Sequence, residues 1–383
     1  RLGQYDESIQ VLQQALATGL NDSQVNYNLG FTYRSMGAYD EAIECFESVI
    51  GENPNDVLAY NHLGAIYALR KDHQKAVAAY RRGLQADPNH PILQYNLAKS
   101  CEALHDDKNA ASAYEAALRA KPGWLEAVRD YSALLMRHHM TKEAADLVNK
   151  SVTLYPNDAG IRALLGKIYL KQSDYDNAVR TFEKARKIDG TDLKVLSGLA
   201  EAYEKSDKTK EATDVMKSAE EGHPEDVSVQ KQYAHILLSG DQYDAAGTKI
   251  KNVYDKDQND VQTLDLFGQY YICKNDENKA ELYYKKINNI DPGYAEYRKE
   301  AAGRYRQTGN FEKARLYLEQ YLKEHSDDSS GIIALARIDE ATGDMAAALA
   351  NYHKALKYDQ YNVLARKEVQ RIGDVINEEN RIR

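Results

Sequence analysis

Cysteine is scarce in this chain. Three occur in 383 residues, Cys45, Cys101 and Cys273, odd in number and far apart. No CxxC or Cys/His metal spacing is present, which argues against disulfide and zinc frameworks. No run approaches 18 apolar residues, so no segment reads as a membrane span. Positive charge is not in excess. Fifty Lys and Arg face 59 Asp and Glu, a net charge of -9, which argues against nonspecific binding to nucleic acid or an anionic membrane. The motifs of common catalytic sites are also missing: GxxxxGK[ST], GxGxxG after a strand pattern, HExxH, GxSxG and the calcium-loop spacing. His138 and His139 are adjacent, so they cannot share a helix face as metal ligands. The expectation is a protein without cofactor or metal, and not an enzyme.

What is present is a period. Ala42, Ala76, Ala110, Ala144, Ala178, Ala212, Ala246, Ala280, Ala314 and Ala348 recur every 34 residues without insertion or deletion. Twelve residues upstream of each stands another small residue, Gly30, Gly64, Ala98, Ser132, Gly166, Ala200, Ala234, Gly268, Ala302 and Ala336. A fixed period of this length marks a stack of repeats, not one globular core.

Residues 23–56 represent the unit. Leu29, Gly30 and Tyr33 fall on one face of a first helix, which Gly37 ends. Ala42, Phe46 and Val49 mark one face of a second helix, which Asn53-Pro54-Asn55-Asp56 stops. Two antiparallel helices of about 14 residues, each near 20 Å long, follow. Gly30 and Ala42 are expected to face each other where the two helices cross most closely. The aromatic series Phe46, Tyr80, Tyr114, Phe182, Tyr284 and Tyr352 is expected to fill the space between successive pairs. Of the 29 tyrosines, Tyr33, Tyr67, Tyr169, Tyr203, Tyr271 and Tyr305 share one repeat position and are read as core.

The small residue at position 8, Ala at 20, the aromatic at 24 and Pro at 32 (Pro54, Pro88, Pro122, Pro156, Pro224 and Pro292) resemble the tetratricopeptide repeat. The resemblance covers almost the whole chain. It implies an all-α, right-handed superhelix of helix-turn-helix units. Residues 1–22 read as the second half of a unit cut at its first helix, 23–362 as ten full units in one continuous solenoid, and 363–383 as a capping helix. In that last helix Gln370 replaces the small residue, and Arg366, Lys367, Glu368 and Arg371 supply a polar face. Asp339 stands at a normally apolar position of the preceding unit.

The resemblance further implies that positions 2, 5, 6, 9, 12 and 13 line a concave groove. In the first three full units these positions include Tyr27, Asn28, Phe31, Arg34, Leu58, Asn61, His62, Ile92, Tyr95, Asn96 and Lys99. Aromatic residues provide contact area at small entropic cost, and Asn can bond a peptide backbone as donor and acceptor. Tyr27, Asn28, Phe31, Asn61, His62, Tyr95, Asn96 and Lys99 are the expected partner-binding residues. The middle units bring Arg129, Lys167, Lys171, Lys194 and Lys231 to the groove, a second, basic stretch suited to an acidic segment. The family's clamp for a terminal carboxylate is absent. Lys231 and His235 start it, but Leu266, Glu296 and Glu300 follow where polar and cationic groups are required.

The function read from these residues is a noncatalytic scaffold that captures an extended or helical segment of another protein. Two alternatives stay open: a regulatory or substrate-recruiting part of a larger enzyme, or a self-assembling scaffold in which Ile9, Leu12 and Leu16 of the half-unit dock on a neighbour. The expected partners are proteins, with no nucleic acid and no membrane insertion.

Overall fold

The computed structural model of the protein describes residues 2–18 and 22–382. Arg1, residues 19–21 and Arg383 of the expected terminal segments lie outside them. Among the described residues there are twenty-two α-helices and no strand. No helix among them is long and apolar enough to cross a membrane. The chain forms two compact units, residues 1–134 and 135–383. The first holds α1 (Leu2–Ala17), α2 (Asp22–Met36), α3 (Tyr39–Glu52), α4 (Val57–Leu69), α5 (His73–Ala86), α6 (Pro91–Ala103), α7 (Asp107–Ala120) and most of α8 (Leu125–Arg137). The second holds α9 (Thr141–Leu154), α10 (Ala159–Lys171), α11 (Tyr175–Ile188), α12 (Leu193–Lys205), α13 (Thr209–Gly222), α14 (Val227–Ser239), α15 (Tyr243–Tyr254), α16 (Val261–Cys273), α17 (Glu277–Ile290), α18 (Glu296–Gln307), α19 (Phe311–Glu324), α20 (Ser329–Ala341), α21 (Met345–Tyr358) and α22 (Val363–Ile382).

Each boundary has a local cause. Asp at position 34 caps the next first helix: Asp56 accepts from the Ala59 N–H at 2.8 Å, and Asp158, Asp226 and Asp260 act alike. Asp at position 16 caps second helices in the same way, as Asp72, Asp106, Asp174, Asp276 and Asp344 do. Between the two helices, position 15 takes a left-handed conformation in all ten full units. It is Gly37, Gly309 and Gly343 in three, and Lys71, His105, His139, Ser173, Asp207, Asp241 and Asn275 in seven. A side chain with a Cβ costs about 1–2 kcal/mol in that region. Lys71→Gly and His105→Gly should therefore each stabilise the first unit by about 0.5–1 kcal/mol after the unfolded-state entropy of glycine is subtracted. Urea unfolding would measure it, and an unchanged or lower midpoint would refute the argument.

The core repeats with the period. Ala at position 20 is fully buried in every unit from Ala42 to Ala348, and the position-24 rings Phe46, Tyr80, Tyr114, Phe182, Tyr284 and Tyr352 are at most 3% exposed. Where position 24 is Tyr and position 12 is Glu, the hydroxyl donates to that carboxylate, as Tyr352 does to Glu340 at 2.6 Å and Tyr114 does to Glu102. The small residue at position 8 also borders the ring at position 24. A Cβ on Gly30 would meet the Phe46 ring at 3.0 Å and Cys45 Cβ at 3.1 Å, and one on Gly64 or Gly166 would lie 2.5 or 2.7 Å from the ring of Tyr80 or Phe182. Where position 8 is Gly and position 24 is aromatic, the small residue leaves room for the ring of its own unit.

The position-11 tyrosines also depart from expectation. Only Tyr305 is buried; Tyr33, Tyr67, Tyr169, Tyr203 and Tyr271 are half-exposed. The ring packs while the hydroxyl or ring edge reaches outward, to Glu183 from Tyr203 at 2.7 Å, or under Lys75 and Lys279 from Tyr67 and Tyr271. Cys101 is buried. Asp339 is buried too, but satisfied: Arg315 Nη2 donates to it at 2.6 Å and Asn351 Nδ2 at 2.7 Å. In α22, Gln370 is exposed while Ala365 and Ile372 are buried against the last pair. At the other end Ile9, Leu12 and Leu16 of α1 are half-buried.

Candidate functional site

In the first unit the inward positions of α2, α4 and α6 share one open face. Leu29, Leu63 and Leu97 turn to the core, and none of the eight expected partner-binding residues is buried. Phe31 is 49%, Leu58 52% and Ile92 45% exposed.

The polar groups are already engaged with one another. His62 stacks on the Phe46 ring with centroids 5.0 Å apart. Its Nδ1 lies 2.5 Å from Arg34 Nη1 and its Nε2 2.8 Å from the Tyr27 hydroxyl. Burial, and after it the Arg34 charge, pushes the imidazole pKa down to about 4. The ring is neutral near pH 7. Because a guanidinium can only donate, Nδ1 accepts, the ring proton sits on Nε2, and Tyr27 Oη accepts it. The Tyr27 O–H proton is left to donate elsewhere. Asn96 Nδ2 donates to Asn61 Oδ1 at 2.9 Å, which leaves the Asn61 amide N–H groups and the Asn96 carbonyl oxygen. Tyr95 donates to Asp130 at 2.7 Å, and Lys99 pairs with the same carboxylate at 3.0 Å. Asn28 Oδ1 accepts from Gln24 at 3.3 Å.

These contacts follow a rule that the sequence pattern did not disclose. Position 5 of one unit bonds position 6 of the next, 35 residues on, as in Tyr27–His62, Asn61–Asn96, Tyr95–Asp130 and Ser197–Gln232. The ladder holds these side chains in fixed orientations. Sequence reasoning also missed Trp124, whose indole lies 4.7 Å from the Tyr95 ring. Its being the single tryptophan of the chain was the available signal.

The five basic residues expected in the middle of the chain have different surroundings. Arg129 is exposed on α8 and Lys194 on α12. Lys231 is neutralised by Asp260 at 2.6 Å. Lys167 and Lys171 line one cavity in the second unit. Beside it lies a polar cluster drawn from four first helices. Glu204 pairs with His235 at 3.2 Å, and the buried Arg304 donates to Gln269 Oε1 at 3.1 Å, Ser239 Oγ at 3.0 Å and the His235 carbonyl oxygen at 3.1 Å. Among the described residues no group of three or more His, Cys, Asp or Glu is placed to hold a metal ion.

Helix pairs of fixed period and a small residue seating an aromatic ring define an all-α repeat solenoid. Two tetratricopeptide-repeat family models match the chain, one over residues 27–91 and 72–124 and the other over 169–231. The matched segments are tetratricopeptide repeats. Similar solved structures include residues 41 to the end of MamA from Desulfovibrio magneticus RS-1, 20% identical, covering 44% of this chain and 95% of that one with a TM-score of 0.39. YrrB, described as a tetratricopeptide-repeat protein with an unusual peptide-binding site, is 20% identical and covers 49% of this chain and 97% of its own, with a TM-score of 0.41. Yeast Tom70 is 15% identical and covers 98% and 94%, with a TM-score of 0.42.

Proposed function

We propose that this protein is a noncatalytic scaffold that takes an extended or helical segment of a partner protein on the first-helix face of residues 23–134. The observation that carries the reading is that Phe31, Leu58 and Ile92 of three successive first helices are about half exposed, on helices whose amide and hydroxyl groups the ladder already holds. Apolar side chains give contact area, and covering the exposed half of Phe31 contributes roughly 1–2 kcal/mol. Prior ordering of Asn61, Asn96 and Tyr27 lowers the entropy lost on binding. Lys99, shared with Asp130, favours no strongly charged ligand on this face.

The test is affinity capture from native lysate with mass-spectrometric readout, followed by titration of the captured partner. Asn28→Ala, Phe31→Ala and Lys99→Ala combined touch only partly exposed side chains, so the helical circular dichroism should be kept. The expected result is loss of the partner and at least about tenfold weaker binding, or about 1.4 kcal/mol. Equal capture by parent and variant would place the partner site elsewhere.

A further inference from the structure

In the second unit the ribbon of helix pairs curls until its edges touch. The Val363 backbone N–H donates to the Gln172 carbonyl oxygen at 2.8 Å. Asn362 Nδ2 donates to Ser173 Oγ at 3.2 Å, between residues 189 apart in sequence. Lys142 and Arg366 both lie against the Tyr361 ring at the same seam. Inside the curl is a cavity of about 450 Å³. Lys167, Lys171 and Lys205 line it from α10 and α12, and Lys299, Arg306 and Arg337 from α18 and α20. Two carboxylates, Glu201 and Glu300, share that lining, so cations outnumber them threefold in a chain that is acidic overall.

Several cations in the unit have a counter-ion, as Lys299 has Asp328 at 2.9 Å and Lys231 has Asp260. Among the described residues Arg306 and Arg337 have none within ion-pair distance. Desolvation, and after it the like charge of Arg337, holds Arg306 below the ordinary arginine range, opposed by Asp207. Both guanidiniums also line two adjoining cavities, one of about 340 Å³ and one of about 430 Å³. Repulsion between neighbouring like charges in a partly desolvated groove is relieved by a bound anion.

We propose that this lumen binds a small organic polyphosphate, anchored by Arg306 and Arg337 and neutralised further by Lys167, Lys171 and Lys205. The volume is that of a small-ligand site. Cations stand on opposite walls, so the ligand carries charge on more than one side. The planar guanidinium fork matches two phosphate oxygens at once. An acidic peptide spaces its carboxylates along an extended chain at about 3.3–3.6 Å per residue and would have to thread a turn closed by the Gln172–Val363 contact.

The test is calorimetric titration of the whole 383-residue chain with sodium tripolyphosphate, and in parallel with a hexaglutamate peptide. Saturable binding of one tripolyphosphate is expected, weakened at least about tenfold by Arg306→Gln with Arg337→Gln, and unaffected by Lys217→Gln on α13. Arg337→Lys keeps the charge and loses the fork, so an intermediate affinity is expected. All these side chains are exposed to solvent, so folding should be retained. No binding by the parent, or equal weakening by Lys217→Gln, would overturn the site. Tighter binding of hexaglutamate than of tripolyphosphate would overturn the ligand class.

Discussion

Phe182→Ala should destabilise the second unit by about 3–5 kcal/mol, at the upper end of the range for a buried aromatic. The ring is 2% exposed and lies between two glycines. A Cβ on Gly166 would come within 2.7 Å of it, and one on Gly198, from the next unit's first helix, closer still. With backbone on both faces there is no side chain free to fall into the hole, so the cavity stays open. The loss also cuts a link between neighbours. Phe182 belongs to a cluster with Ala163 and Ala178 of its own unit and Leu199 of the next, and nearest-neighbour interfaces supply much of a solenoid's stability. Far-UV circular dichroism in urea is the measurement. The single tryptophan, Trp124, stands in the other unit and does not report it. A loss under about 1 kcal/mol would mean that the ring's surroundings relax and that the glycine slot is not rigid.

The second large effect concerns pH. Asp265 on α16 is 4% exposed, and its carboxyl is pushed up to about 7, first by burial and then by Glu300 on α18. Gln269 on the same helix donates to it at 3.2 Å, while His235 on α14 and Arg304 on α18 draw it the other way; Tyr284 on α17 and Tyr294 also face it. In the unfolded chain an Asp titrates near 4. Between about pH 4 and pH 7 the folded state therefore holds a proton that the unfolded state has released, and unfolding free energy falls as pH rises through that window. Three pH units amount to on the order of 4 kcal/mol. Asp265→Asn keeps an acceptor for Gln269 and has no charge to bury. The variant should match the parent near pH 4 and exceed it by roughly 2–4 kcal/mol at pH 8, read from urea midpoints across pH. A parent-minus-variant difference that is flat with pH would show that Asp265 is ionised in the folded state at no penalty.

The same two residues show where sequence reading succeeds and where it stops. Phe182 was assigned to the core from its place in the 34-residue period, because every unit meets its neighbours in the same way and selection on packing repeats with it. The glycine on its far side was invisible. Gly198 stands at position 6, where other units carry His62, Asn96 or Asp130, so no periodic signal marks it. The same position was read as a set of side chains facing a ligand. In the structure it is first the receiving end of bonds from position 5 of the preceding unit, a pairing 35 residues apart that a search at period 34 passes over.

By itself the sequence determined the helix-turn-helix unit, the buried alanines and the buried position-24 rings. All of these depend on contacts within a unit or with its immediate neighbour, and such contacts repeat. Only the tertiary structure decided which residues meet beyond that range. Arg304 reaches His235 and Ser239 two units back, Asn362 reaches Ser173 across 189 residues, and Arg306 and Arg337 face Lys167 and Lys171 across one lumen. The physical reason is accumulation. Each step between units adds a small rotation that no single repeat spells out, and the sum over several units sets which distant side chains come together.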